Sequence, residues 1–147
     1  MPKDRGFTLI ELLLTVAIMT VIGLTGASFY SRFFTQNAAS NTADTIVQLS
    51  RKAQFYAMTG NKSNASGWGI NYVGNVITLY QGPAFSLRNQ IWDENYTVEN
   101  AVTVSGLTEI NFARLTGLPT TTATIEVSGN QGSTQTLTVN AQGTISR

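Results

Sequence analysis

From residue 12 to residue 31, twenty consecutive positions carry no charge, and between residues 7 and 30 sixteen of 24 side chains are apolar while Glu11 alone is charged. At about 1.5 Å per residue, a helix of that length spans a hydrocarbon core of roughly 30 Å. A chain that opens this way has to place the segment in lipid, in a bundle of other helices, or in a leader that is removed. Lys3 and Arg5 precede the run, opposed only by Asp4. By the positive-inside tendency, the N-terminus would stay cytoplasmic and everything beyond Arg32 would lie outside.

A cleaved secretory signal peptide is the simplest reading of such a start, and Thr25-Gly26-Ala27 offers small residues where cleavage could fall. Two features oppose it. Glu11 sits inside the apolar run, where a carboxylate costs up to about 2.5 to 3.5 kcal/mol on insertion scales. The helical pattern also continues past Arg32: Ala39, Ala43, Ile46, Ser50, Ala53 and Ala57 recur at alternating spacings of four and three and line one helical face. One helix running from about Phe7 to Met58 is expected, roughly 75 to 80 Å long, greasy all round in its first half and amphipathic in its second. Gly60-Asn61 supplies a C-terminal stop. Gly23 and Gly26 lie in the apolar half, where each costs about 1 kcal/mol relative to Ala. They either let the helix bend and open or let another helix pack closely.

Composition narrows the chemistry. With no Cys and no His among 147 residues, thiolate catalysis, disulfides, Cys/His zinc sites and imidazole acid–base chemistry are excluded. Charged residues make up 12% of the chain, whereas Ser, Thr, Asn and Gln number 52, so its surface is polar mainly through uncharged groups, as suits an envelope or extracellular setting. A formal net charge of +1 provides no bulk field for nucleic acid. No phosphate loop, paired carboxylates or nucleophile elbow stands out, so neither catalytic activity, a cofactor nor a metal is expected.

The junction Lys3-Asp4-Arg5-Gly6-Phe7-Thr8-Leu9-Ile10-Glu11-Leu12-Leu13 resembles the processing site of type IV prepilins and type II secretion pseudopilins. The family pattern is a short charged leader ending in Gly, then Phe-Thr-Leu-Ile-Glu-Leu. The resemblance implies cleavage between Gly6 and Phe7 by a membrane prepilin peptidase, and N-methylation of Phe7 by the same enzyme acting as methyltransferase. The mature chain would keep 141 residues, seven basic and seven acidic. Gly6 has no side chain to obstruct a protease at the membrane face and interrupts helix propensity before the apolar run. After the cut, the new α-amino group of Phe7 and the carboxylate of Glu11 would lie one helical turn apart. Glu11 could then neutralise its own or a neighbouring subunit's amino terminus, the inter-subunit pairing being the family's accepted role. Compensation of the helix dipole alone, typically 0.3 to 1 kcal/mol, is too small to justify burying Glu11.

Beyond Gly67 the helical period gives way to short strand-like runs, expected at residues 68–73, 75–80, 96–104, 109–115, 123–128 and 136–140. Val73-Gly74-Asn75 reads as a tight turn and Gly129-Asn130-Gln131-Gly132-Ser133 as a hairpin loop. A helix followed by antiparallel strands is an α+β order. The expected organisation is a leader over residues 1–6, a transmembrane and assembly helix over 7–30, its amphipathic continuation over 31–60 and a β-rich domain over 61–147. Residues 40–61, with Arg51-Lys52-Ala53-Gln54, together with Trp68-Gly69-Ile70 and Gly143-Thr144-Ile145, resemble GspH/FimT-type minor pseudopilins. Two features of many pilins are absent: a clamping Cys pair, and a proline at the position held here by Ser28.

The resemblance implies a single-pass subunit of the inner membrane that is drawn into a filament. Its implied partners are the prepilin peptidase, other pilin-like subunits, a polytopic platform protein and an assembly ATPase. Two other functions compete with this one: a DNA-binding minor pilin and a plain membrane-anchored β-rich binding domain. For the former, Trp68, Tyr72, Tyr80 and Trp92 could stack on bases, yet strand aromatics more often form core, and Lys62, Arg88, Arg114 and Arg147 are dispersed, so nucleic acid is not an expected partner. Asp93-Glu94-Asn95 is read as a solvated turn rather than a calcium site.

Overall fold

The structure, a computed structural model, describes residues 6–61, 66–130 and 132–147; the side chains of residues 25–29 and 31 also lie outside the description. Among the described residues one α-helix, α1 (Leu9–Thr59), precedes eight strands: β1 (Trp68–Val73), β2 (Val76–Gln81), β3 (Glu94–Thr97), β4 (Val102–Ser105), β5 (Glu109–Phe112), β6 (Ala123–Gly129), β7 (Thr134–Val139) and β8 (Ile145–Ser146). The α+β order expected from the residue pattern is present, in the pilin-like arrangement the resemblance implies: a long N-terminal helix followed by antiparallel strands. Internal contacts divide the chain into Met1–Phe34 and Thr35–Arg147.

Within the second unit, helix periodicity does what the spacing predicts. Ala39, Ala43, Ile46, Ser50, Ala53 and Ala57 all have no exposed surface. Four of the six are alanines, so the helix backbone can approach the sheets closely, and the one polar member satisfies itself, Ser50 Oγ donating to the Ile46 carbonyl at 2.8 Å. The C-terminus of α1 closes as a Schellman motif: Gly60 takes φ +63°, and the Asn61 amide donates to the Tyr56 carbonyl at 3.1 Å. The Asn61 carbonyl in turn accepts from Trp68 Nε1 at 3.0 Å, fastening the helix end to the first strand.

The strands form two antiparallel sheets, ordered β3-β2-β1-β5 and β4-β6-β7-β8. β1 and β2 join through Gly74 and Asn75, with φ of +60° and +61°, between the paired Val73 and Val76. That is the left-handed pair a type I′ turn requires. The core is one cluster in which the alanine stripe meets Trp68, Ile70, Leu79, Ile110 and Phe112 from the first sheet and Ile125, Val127, Leu137, Val139 and Ile145 from the second. Tyr56 meets Trp68 edge to face at 4.9 Å between ring centres.

Several strand expectations are corrected. The run at 96–104 is two strands in different sheets, because the Val102 amide turns back onto the Glu99 carbonyl at 2.9 Å. The run at 109–115 ends at Phe112, since Leu115 leaves the sheet and donates its amide to the Ala57 carbonyl of α1 at 2.9 Å. β8 is too short for alternation to register. Residues 93–95 are no solvated turn: Asp93 pairs with Arg88 at 2.7 Å, and Glu94 opens β3 and pairs with Lys52 at 2.6 Å.

Candidate functional site

The N-terminal junction is built by a change of backbone state. Gly6, Phe7 and Thr8 are not helical, and α1 begins at Leu9. Thr8 acts as the N-cap: its carbonyl accepts from the Glu11 amide at 3.1 Å and the Leu12 amide at 3.2 Å. The amide and hydroxyl of Thr8 both donate to Glu11 Oε2, each over 3.4 Å. This is the carboxylate half of a capping box, which also sets a negative charge against the positive end of the helix. A Thr followed three residues later by Glu, ahead of an apolar run, was the legible signal for it.

Among the described residues, nothing crowds position 6. A Cβ built there would meet nothing within 4 Å, and the same holds at Gly23. Backbone helix continues through Gly23 and Gly26, and the helical interior gains nothing from glycine at position 23, which costs about 1 kcal/mol there. Around these glycines, every described residue from Gly6 to Leu24 is exposed, including Phe7 and Leu9 at 79%. Soluble monomers rarely show contiguous apolar surface on this scale. Among the described residues, no helix is long and apolar enough to cross a membrane; the uncharged run includes residues 25–29 and 31, whose side chains are outside the description.

In the β-bearing unit the polar groups are mostly tied down. Lys52 and Glu94 bridge α1 to β3, and this contact holds the lysine pKa above its usual value. Arg147 reaches Asp44 at 2.8 Å and Ser40 at 2.9 Å, joining the β8 end to α1. Tyr80 donates its phenol to Glu109 Oε1 at 2.6 Å and accepts from Asn111 Nδ2 at 3.2 Å. Burial, reinforced by the Glu109 contact, pushes the Tyr80 pKa well up. The same carboxylate oxygen accepts the Phe85 amide at 2.8 Å, which brings residues 82–93 down onto this sheet, with Arg88 stacked 3.7 Å over the Phe85 ring.

This geometry settles where the other sequence-derived candidates lie. Trp68 and Tyr80 are fully buried, while Tyr72 and Trp92 are half-buried and pack against the core. Arg88 and Arg147 are engaged by carboxylates, Arg114 is exposed, and Lys62 lies outside the described residues, as do Lys3, Asp4 and Arg5. Asp93 and Glu94 each have a cationic partner. Among the described residues there is no cluster of three or more metal-ligating side chains.

Residues 1–27 match the family model described as the prokaryotic N-terminal methylation motif. No curated protein and no solved structure matches the chain significantly. The chain therefore carries a prepilin-type N-terminal motif of the kind borne by type IV pilin-like subunits, and that motif covers the non-helical junction and the exposed apolar start of α1.

Proposed function

We propose that the chain is a minor pilin-like subunit, a minor pseudopilin of GspH/FimT type, in a type II secretion or type IV pilus filament. The observation that carries the reading is the unbroken exposure of residues 6–24 beneath a prepilin-type motif. Such a surface needs lipid before assembly and neighbouring helices afterwards. Prepilin peptidase hydrolyses the Gly6–Phe7 amide in the non-helical stretch ahead of α1 and then methylates the Phe7 nitrogen, which remains a cationic amine. Glu11, until then turned back onto Thr8, becomes the counter-charge for the amino terminus of a neighbouring subunit. The platform protein and the ATPase draw the helix out of the inner membrane, Gly23 and Gly26 letting it open, and the β-domain stays on the outer side. The subunit is structural and has no catalytic activity of its own.

The test separates processing from assembly. Gly6→Val leaves the leader attached and abolishes incorporation, whereas Glu11→Val is cleaved normally but not incorporated. Cleavage of Gly6→Val at the wild-type rate, or normal incorporation of Glu11→Val, overturns the proposal.

A further inference from the structure

Leu115 holds φ at +68° with 65% of its surface exposed. A branched aliphatic residue in the left-handed region is an outlier, and such strain gathers at binding surfaces. Its amide is fixed to the Ala57 carbonyl, so the strained loop is anchored to the end of α1 rather than free. Phe55 and Met58, three residues apart on one helical face, are 60% and 50% exposed. A Cβ at Gly117 would lie 2.5 Å from Met58 Cγ, so the loop that carries Leu115 and the 48% exposed Leu118 rests against Met58. Arg51, one turn before Phe55, and Arg114, next to Leu115, are exposed and belong to no ion pair among the described residues. The loop's own hydrogen bonds hold this conformation, yet all four apolar side chains stay at least 48% exposed.

We infer that Phe55, Met58, Leu115 and Leu118, flanked by Arg51 and Arg114, form a docking surface for a protein segment of complementary pattern: an apolar side chain bracketed by carboxylates. Two arginines suit two carboxylates, whose planar geometry matches the guanidinium fork. Recognition of an anionic lipid surface draws on clusters of roughly four to eight basic residues, more than this patch offers. This surface is independent of the prepilin reading, because it lies wholly in the β-bearing unit and needs no leader cleavage.

The absence of cysteine makes the test direct. Leu115→Cys, Leu118→Cys and, as a control in the segment between β2 and β3, the 71% exposed Leu87→Cys each create a unique thiol for a membrane-permeant maleimide. In the purified full chain all three react alike. In host cells, thiols at 115 and 118 react about tenfold more slowly than at 87, and adding Arg51→Glu with Arg114→Glu restores fast reaction. Equal reaction at all three positions in cells overturns the inference, as does protection that survives the charge reversal. Protection reproduced by reconstituting the purified chain in phosphatidylglycerol vesicles would assign the surface to lipid and overturn it as well.

Discussion

The amide and hydroxyl of Thr8 converge on a single carboxylate oxygen of Glu11, three residues along the chain and 3.4 Å from each. Both contacts are long for charge-assisted hydrogen bonds, so Glu11 is loosely held. Thr8→Val removes the hydroxyl contact but keeps the amide. It should leave assembly intact and cost the full chain no more than about 1 kcal/mol, as read by thermal unfolding in detergent. A loss of assembly comparable to that of Glu11→Val would show that the local cap, not pairing between subunits, is the carboxylate's task.

The alanine stripe sets how close α1 can come to the sheets. Ala43→Leu and Ala53→Leu each force a larger side chain into a fully buried position and should destabilise the fold by about 1 to 3 kcal/mol in denaturant titration. Asn37→Leu, on an exposed helical position, should change it by no more than about 0.5 kcal/mol.

Gly69 lies beneath the Tyr80 ring, and a Cβ there would come within 2.5 Å of the phenol oxygen and 2.7 Å of the Ile110 carbonyl. Gly69→Ala should therefore cost about 1 to 3 kcal/mol. Tyr80→Phe should cost only about 1 kcal/mol, because Glu109 keeps the Phe85 amide and Asn111 keeps the Gly82 carbonyl. The double variant should fall short of the sum, since removing the hydroxyl relieves part of the clash.

Alkaline pH should weaken the fold. Tyr80 is held neutral first by burial and then by its bond to Glu109, so its folded pKa lies above the unfolded value of 10.0. Lys52 is raised above 10.5 by its bond to Glu94, so its contribution too is present below that pH and is lost above it. Stability should therefore fall above about pH 10, where the unfolded chain releases protons that the folded chain retains. Tyr80→Phe should flatten that decline in denaturant titrations across the range, and an unchanged slope would show that Tyr80 does not drive it.

Leu115→Gly should stabilise the isolated chain by about 1 kcal/mol, because glycine adopts positive φ without the clash that leucine carries. Thermal unfolding of the purified chain measures this. A lower melting temperature would mean that the exposed side chain packs within the fold.

Periodicity made α1 and its buried face legible, because six small or apolar positions at spacings of three and four permit one helix register. Gly74 and Asn75 were equally plain, since few residues tolerate two successive positive φ values. The sequence did not show that residues 96–104 divide between two sheets, because Val98, Val102 and Val104 fit one strand as well as two and the Glu99 turn carries no glycine or proline. Nor did it mark the loop at 82–93, whose shape follows from the long-range contact of Glu109 with the Phe85 amide and the Arg88–Asp93 pair within the loop. The junction at Gly6 was legible as a motif. The capping role of Thr8 was also written there, in a threonine three residues ahead of Glu11.

The central claim is that the chain is cut between Gly6 and Phe7 and carries a methylated N-terminus into a filament. Intact mass and N-terminal sequencing of the protein from host membranes, with and without prepilin peptidase, test it most directly. The account predicts a chain beginning at N-methylated Phe7 that reverts to the uncut form when the peptidase is absent. An N-terminus at Met1 in the presence of the peptidase, or one near Ser28, would contradict it.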